Sequence, residues 1–133
     1  MAITSSAITN MAKSGITQLL GGANTTLYYQ CIGVGNNTVT ANESNVGLIG
    51  DERKWKDGNF SYFKNTNNSY IAQWNSSWVY ADLTSHIFSE VAVLQNATNC
   101  TGQCLLRGVY DAVTLGADDS IAITAQVSVT ESA

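Results

Sequence analysis

The residues that could carry chemistry are few and scattered. His86 is the single histidine, with Asp82 four positions before it and Ser85 and Ser89 close by. A nucleophilic triad needs a hydroxyl held against the imidazole and an oxyanion site. No G-x-S-x-G elbow supplies the sharp turn such a serine uses. His86 therefore reads as a structural or surface residue. Gly33-Val34-Gly35 opens like a dinucleotide loop, but Thr38 stands where the third glycine belongs, so no phosphate cradle follows. Asp118-Asp119-Ser120 could hold calcium weakly, but reads better as a turn. No pair of carboxylates stands out for glycoside hydrolysis. The expectation is a protein that is not an enzyme, with no catalytic residues, no metal and no cofactor.

Three cysteines are present, Cys31, Cys100 and Cys104. Structural zinc takes four Cys or His ligands, and three cysteines with one histidine in this arrangement do not suggest it. Cys100 and Cys104 enclose Thr-Gly-Gln between two expected strands, which suits a small disulfide stapling a hairpin loop in an oxidising compartment. Such a short loop contributes on the order of 2 kcal/mol. Cys31 falls in an expected strand and reads as a small buried hydrophobe, with an intersubunit disulfide as the alternative.

The pattern N-x-S/T occurs eight times, at Asn24, Asn36, Asn42, Asn59, Asn67, Asn75, Asn96 and Asn99. Random placement of these residue types gives about 2.6. All eight fall in expected turns, loops or strand ends. The functional reading is a densely N-glycosylated extracellular surface. The plainer reading is that Asn, Ser and Thr crowd into turns for local hydrogen bonding. The opening MAITSSAITNMAKSG has no basic start followed by an apolar block, so a secretory signal is either absent or removed.

Eight of the 12 aromatic residues lie between Trp55 and Tyr80. They divide among a sandwich core, a subunit interface and a sugar-stacking platform. Trp55, Trp74 and Trp78 are the candidates for interface or stacking contacts.

The elements that must position these residues follow from periodicity. Ile8, Met11, Ala12, Ile16, Leu19 and Leu20 recur at helical spacing. Thr4 or Ser5 is the expected cap, and Gly21-Gly22 the expected ending. This gives an N-terminal helical arm over residues 1–24, docked on its own sheet or on a neighbouring subunit. A β-sandwich domain over residues 25–133 follows. Thr26–Val34 reads as a strand and 35–45 as a polar loop. Turn signals at Asp57-Gly58, Asn65–Asn68 and Asn75–Ser77 divide Asp51–Tyr80 into a meander, with Asp57-Gly58 as a two-residue hairpin turn. Charged Glu52–Asp57 reads as a guarded sheet edge. Ile87–Leu94 is apolar almost throughout, as in a strand buried on both faces, and Leu105–Tyr110 is its expected hairpin partner. Ile121, Ile123, Ala125, Val127 and Val129 alternate with Ala122, Thr124, Gln126, Ser128 and Thr130, which is a strand with one face on a core. The fold class is mainly β: an antiparallel β-sandwich with a short N-terminal amphipathic helix.

Composition limits the function classes. The chain has 133 residues, 44% hydrophobic and only 12% charged, with a net charge of −4. A nucleic-acid binder normally shows a basic face, and no apolar run reaches the length of a membrane span. Neither nucleic acid nor membrane insertion is expected.

Several stretches, in order, resemble small structural proteins of tailed phages and archaeal viruses, of the tail-fibre or minor virion protein type. They are Ile32-Gly33-Val34-Gly35 followed by a Thr- and Asn-rich loop, Glu90 within IFSEVAVLQN, Leu105-Leu106-Arg107-Gly108-Val109-Tyr110, and Asp119-Ser120 before the last strand. Ala92 stands where that group favours Gly, and Gln126 where an aromatic is common. The sequons and the paired cysteines are not features of the group. The resemblance implies a non-enzymatic, β-rich virion component: capsid decoration, head or tail fibre, or tail component. It would contact copies of itself and other virion proteins, and glycans if the sequons are used. The alternatives are a subunit of an extracellular glycoprotein filament or surface layer, and a carbohydrate-binding module. The expected location is the virion or the extracellular space.

Overall fold

The computed structural model describes residues 3–23, 28–65, 69–95 and 103–130. Eight strands and one α-helix follow in the order β1 (Ile3–Ile8), α1 (Asn10–Leu20), β2 (Tyr29–Gly35), β3 (Arg53–Asp57), β4 (Asn59–Lys64), β5 (Ser69–Val79), β6 (Ile87–Gln95), β7 (Cys104–Thr114) and β8 (Ser120–Thr130). They form two antiparallel sheets. One has five strands in the order β1-β7-β6-β2-β3, the other three in the order β4-β5-β8. The sheets pack in a sandwich-like arrangement, as the alternation in the sequence requires.

The final strand follows its pattern. Ile123 and Ala125 are buried, whereas Ala122, Thr124, Gln126, Ser128 and Thr130 are exposed. Trp74 and Trp78 on β5 share that inner face and meet Ile32, Val34, Phe88, Val93 and Leu105 in the main core. β6 lies in the middle of the larger sheet and is buried on both sides. Its outward-facing Ala92 and Leu94 join Cys31, Leu48 and Cys104 in a second, smaller core. The 36–52 loop brings Leu48 over that outer face. A register shift between Phe88 and Glu90 acts as a bulge that swaps faces: Phe88 enters the main core and Glu90 turns to the loop side.

The start of the chain departs from the expected arm. Residues 3–8 are an edge strand, paired with β7 from Ile3↔Tyr110 to Ile8↔Leu106. The helix begins only at Asn10. Thr9, not Thr4 or Ser5, caps it, accepting from the Ala12 N–H at 3.1 Å. Thr9 is fully buried, and its hydroxyl and N–H bond the carbonyls of Cys104 and Leu105. The junction is therefore pinned to β7, and residues 3–8 belong to the larger sheet. The glycine ending holds: Gly22 (φ 77) donates to Leu19 O at 3.2 Å and Ala23 to Gln18 O at 2.9 Å, the paired bonds of a Schellman motif. The helix buries Ala12 and Gly15, while Ile16, Leu19 and Leu20 stay exposed.

Two expected turns are also corrected. Asp57-Gly58 is not a hairpin, because β3 pairs with β2 and β4 with β5. The chain crosses from one sheet to the other there. A side chain at Gly58 would lie 3.0 Å from Trp74 Cδ1, so close packing explains the glycine. Asn75–Ser77 is not a turn but the middle of β5, an uninterrupted 11-residue strand. Charged β3 is an edge strand, as expected.

Candidate functional site: a sealed Glu–Arg hub and an uncovered apolar face

Two features stand apart from ordinary sandwich packing. The first is built from β2, β6, β7 and the 36–52 loop. Glu90 and Arg107 have fully buried side chains. One Glu90 oxygen accepts from Ile49 N at 2.7 Å; the other accepts from Asn37 N at 2.7 Å and Gly50 N at 2.9 Å. Arg107 Nε approaches the carboxylate at 3.5 Å, while its Nη1 donates to Val39 O at 2.8 Å. Gly35 lies opposite Glu90, and a Cβ there would sit 3.0 Å from the carboxylate carbon. The short bonds are those from the loop backbone, so they hold the carboxylate and Arg107 supplies the compensating charge. Both carboxylate oxygens are engaged and closed to solvent. The arrangement locks a loop and has no room for a substrate.

Gly35, Glu90 and Arg107 come from three separate motifs of the sequence and meet at this one point. Gly33, from the same motif as Gly35, lies opposite Trp55 on β3. A Cβ on Gly33 would fall 2.2 Å from Trp55 Cε3, so the indole lies across the bare backbone.

The second feature is an apolar cleft of about 520 Å³ between α1 and the smaller sheet. Ile16 and Leu19 form one wall, Phe60, Ala72 and Val127 the other, and Trp74 and Leu105 the floor. Trp74 Nε1 donates to Tyr29 O at 2.8 Å and closes the floor. The Tyr29 hydroxyl is buried without a partner, and burial raises its pKa, with Cys104 adding to the shift. Beyond the cleft the same sheet face continues through Tyr62, Tyr70 and Val129, all exposed. Register places them side by side: Tyr62 opposite Ala72, and Tyr70 opposite both Lys64 and Val129.

The expected site residues fare unevenly. Trp74 and Trp78 are buried core residues, and Trp55 is half-buried against Gly33. The three do not form a stacking platform. The exposed aromatics are Tyr28, Phe60, Tyr62, Phe63 and Tyr70 instead. Cys104 is a free, buried cysteine, so the Cys100–Cys104 staple is not formed. Its Sγ donates to Leu106 O at 3.3 Å, and burial pushes the thiol pKa up to about 12 against a smaller lowering by Arg107 and the Leu106 hydrogen bond. Cys100 lies outside the described residues.

Four sequon asparagines, Asn24, Asn67, Asn96 and Asn99, also lie outside the described residues. Asn42 is exposed in a loop, where its side chain accepts from Ser44 N at 2.8 Å. Asn36 is half-buried beside Gly50. Asn59 and Asn75 are cross-strand neighbours on the outer face of the smaller sheet. Asn59 is exposed, and Asn75 accepts from the Thr124 hydroxyl at 2.7 Å.

His86 adopts a positive φ of 58. Its ring stacks on Tyr80 at 3.5 Å, and its Nδ1 lies 2.7 Å from Tyr80 O. Asp82 accepts from Val79 N at 2.8 Å and pairs with Lys56 at 3.5 Å. Neither is aligned with Ser85 or Ser89 as a triad. Asp119 accepts from Gly116 N at 2.7 Å and closes a turn. Among the described residues no group of three or more His, Cys, Asp or Glu side chains is placed to hold a metal. Among them, no helix is long and apolar enough to cross a membrane.

Sequence reasoning missed the cleft. Ile16 and Leu19 read there as a stripe docked on the chain's own sheet or on a neighbouring subunit, and the aromatics as divided among core, interface and stacking platform, with no signal that joined the two sets. Comparison with known proteins adds nothing to these observations: no family model matches the chain, and no curated protein or solved structure does.

Proposed function

We propose that the chain is a non-enzymatic structural protein of a virion that assembles with copies of itself and with other virion proteins. The observation that carries this reading is the convergence of Gly35, Glu90 and Arg107 on one sealed hub. These residues come from three of the stretches on which the resemblance to virion proteins rests. Their meeting supplies a physical reason for that order of motifs: a glycine to admit the carboxylate, a glutamate to gather the loop amides, and an arginine to balance it. A loop fixed by backbone bonds to a buried charge suits a particle component that must hold one shape. Its glycine-spaced strand, buried glutamate and arginine need no substrate to explain them.

Glycosylation belongs to the same proposal. Asn42 and Asn59 are the exposed sequon positions among the described residues, and an extracellular or virion surface would present them. Cys31 is disulfide-bonded and Cys104 is not. We infer an oxidising environment on that basis.

A filament or surface-layer subunit is the second reading. Strand β4 favours it: an edge strand of the smaller sheet, exposed along its length, without proline and with one charge at its end. Such an edge can accept a further strand. Immunogold electron microscopy of native material tests the two readings. Label on virus-like particles is the expected result. Label along uniform fibres free of nucleic acid overturns the virion reading in favour of the filament.

A further inference from the structure

We infer that the uncovered inner face of the smaller sheet, with the cleft beside α1, is the contact between two copies of this chain. The inference rests on the self-assembly part of the proposed function and names the surface that performs it.

The first argument is area. A standard interface takes roughly 800 Å² from each partner. The face itself accounts for a similar area. Tyr62 is 79% exposed, Val129 68% and Tyr70 58%, with Tyr28 and Phe60 near half and the cleft residues Ile16 and Leu19 at 40% and 42%. At ~150–250 Å² for each full side chain, these seven residues leave on the order of 800 Å² of largely apolar surface in water. A soluble monomer rarely keeps a patch of that size.

The second argument is charge. The protein is acidic, with 10 Asp and Glu against 6 Lys and Arg. Two copies therefore repel through most of their surfaces. The strands of the smaller sheet contain no carboxylate, and Lys64 is their single charge. Its Nζ sits over the Tyr70 ring at 6.0 Å. This face lets two like-charged molecules meet without opposing acids, which selects a second copy over a basic partner.

The third argument is geometry. Asn59 and Asn75 lie on the opposite face of the same sheet, because their register positions alternate with Phe60 and Trp74. Glycans there would leave the inner face clear. The contact is isologous, with the same patch on both molecules, and it closes as a dimer.

Sedimentation velocity of the full chain across the micromolar range tests this, with Tyr62→Lys, Val129→Lys and Ser61→Lys as variants. Tyr62 and Val129 project into the face from exposed positions, and Ser61 points the other way from the same strand. The expected result is a dimer for the wild type and for Ser61→Lys. The two face variants should dissociate at least tenfold more readily, with an unchanged near-ultraviolet circular dichroism spectrum. If one face variant misfolds, the other decides. A wild type that stays monomeric at high micromolar concentration overturns the inference, as does a folded face variant that dimerises normally. Immunogold microscopy separates the two failures. A monomer found on particles sinks this contact and leaves the virion reading standing. A face-dependent dimer absent from particles and fibres does the reverse.

Discussion

Replacing Glu90 by Gln removes one charge from the buried hub while keeping its shape. Glu90 and Arg107 are both sealed from solvent. The change leaves the Arg107 guanidinium uncompensated, and breaking a buried pair this way costs about 3–5 kcal/mol. The amide also carries N–H groups where an acceptor oxygen was. Turned toward the Ile49 side it confronts that backbone N–H and the Arg107 Nε–H, and toward the other side the N–H groups of Asn37 and Gly50. In either orientation at least one donor is orphaned, which adds about 1–3 kcal/mol. The expected loss is about 4–8 kcal/mol, against a total stability of roughly 7–20 kcal/mol for a chain of this size. At ~3–5 °C per kcal/mol for this length, Tm should fall by at least about 12 °C. Arg107→Met should be milder, because the carboxylate keeps its three short backbone bonds and the ion pair is long at 3.5 Å. Calorimetry measures the two Tm values. Amide exchange reports whether Asn37, Ile49 and Gly50 lose protection in the Glu90 variant. A Tm drop below about 5 °C, or Arg107→Met being the more damaging change, would refute the account of the backbone bonds as the holding force.

Three further outcomes follow from other parts of the molecule. Gly33→Ala places a methyl 2.2 Å from Trp55 Cε3. It should cost about 1–3 kcal/mol by overpacking and red-shift Trp55 fluorescence as the indole is lifted into water; an unchanged spectrum would contradict the contact. Cys104, with its thiol raised to about 12, should resist alkylation at pH 8 until the protein unfolds. Non-reducing peptide mapping should then find Cys31 in the linked peptide; a Cys100–Cys104 link would contradict the assignment. Because the thiol pKa is raised above its ordinary 9.0, its contribution to stability is complete below pH 9 and falls as pH rises toward 12. Glu52 has the opposite sign. Its carboxylate accepts from the Thr84 hydroxyl and the Thr84 and Ser85 amides, which hold its pKa below 4.5. Its contribution is therefore present above pH 4.5 and lost as pH falls through the lower native value, so Glu52→Gln should flatten acid unfolding curves in that window.

Some of this was legible before the fold was known. Strand β8 was plain because five alternating apolar residues can face one core in only one way. β6 was plain because an unbroken apolar run needs cover on both sides. The guarded edge at β3 was readable from its charge. Other features were not. Asp57-Gly58 has the composition of a hairpin turn, yet the same two residues serve a crossing between sheets, because turn chemistry does not say which strands pair. Asn75–Ser77 looks like a turn, yet β5 runs through it, held by register to both neighbours. Thr9 was hidden because Ile8 fits the helical stripe as well as it fits the end of a strand.

The sequence by itself determined a low-charge, β-rich chain with one helix, because periodicity and composition are local properties that survive without a partner. The tertiary structure alone decided where Glu90 and Arg107 meet, that Cys104 stays a thiol, and which apolar face is left open. Those depend on strand order and on which surface another element happens to cover, and neither is written in any single stretch of residues.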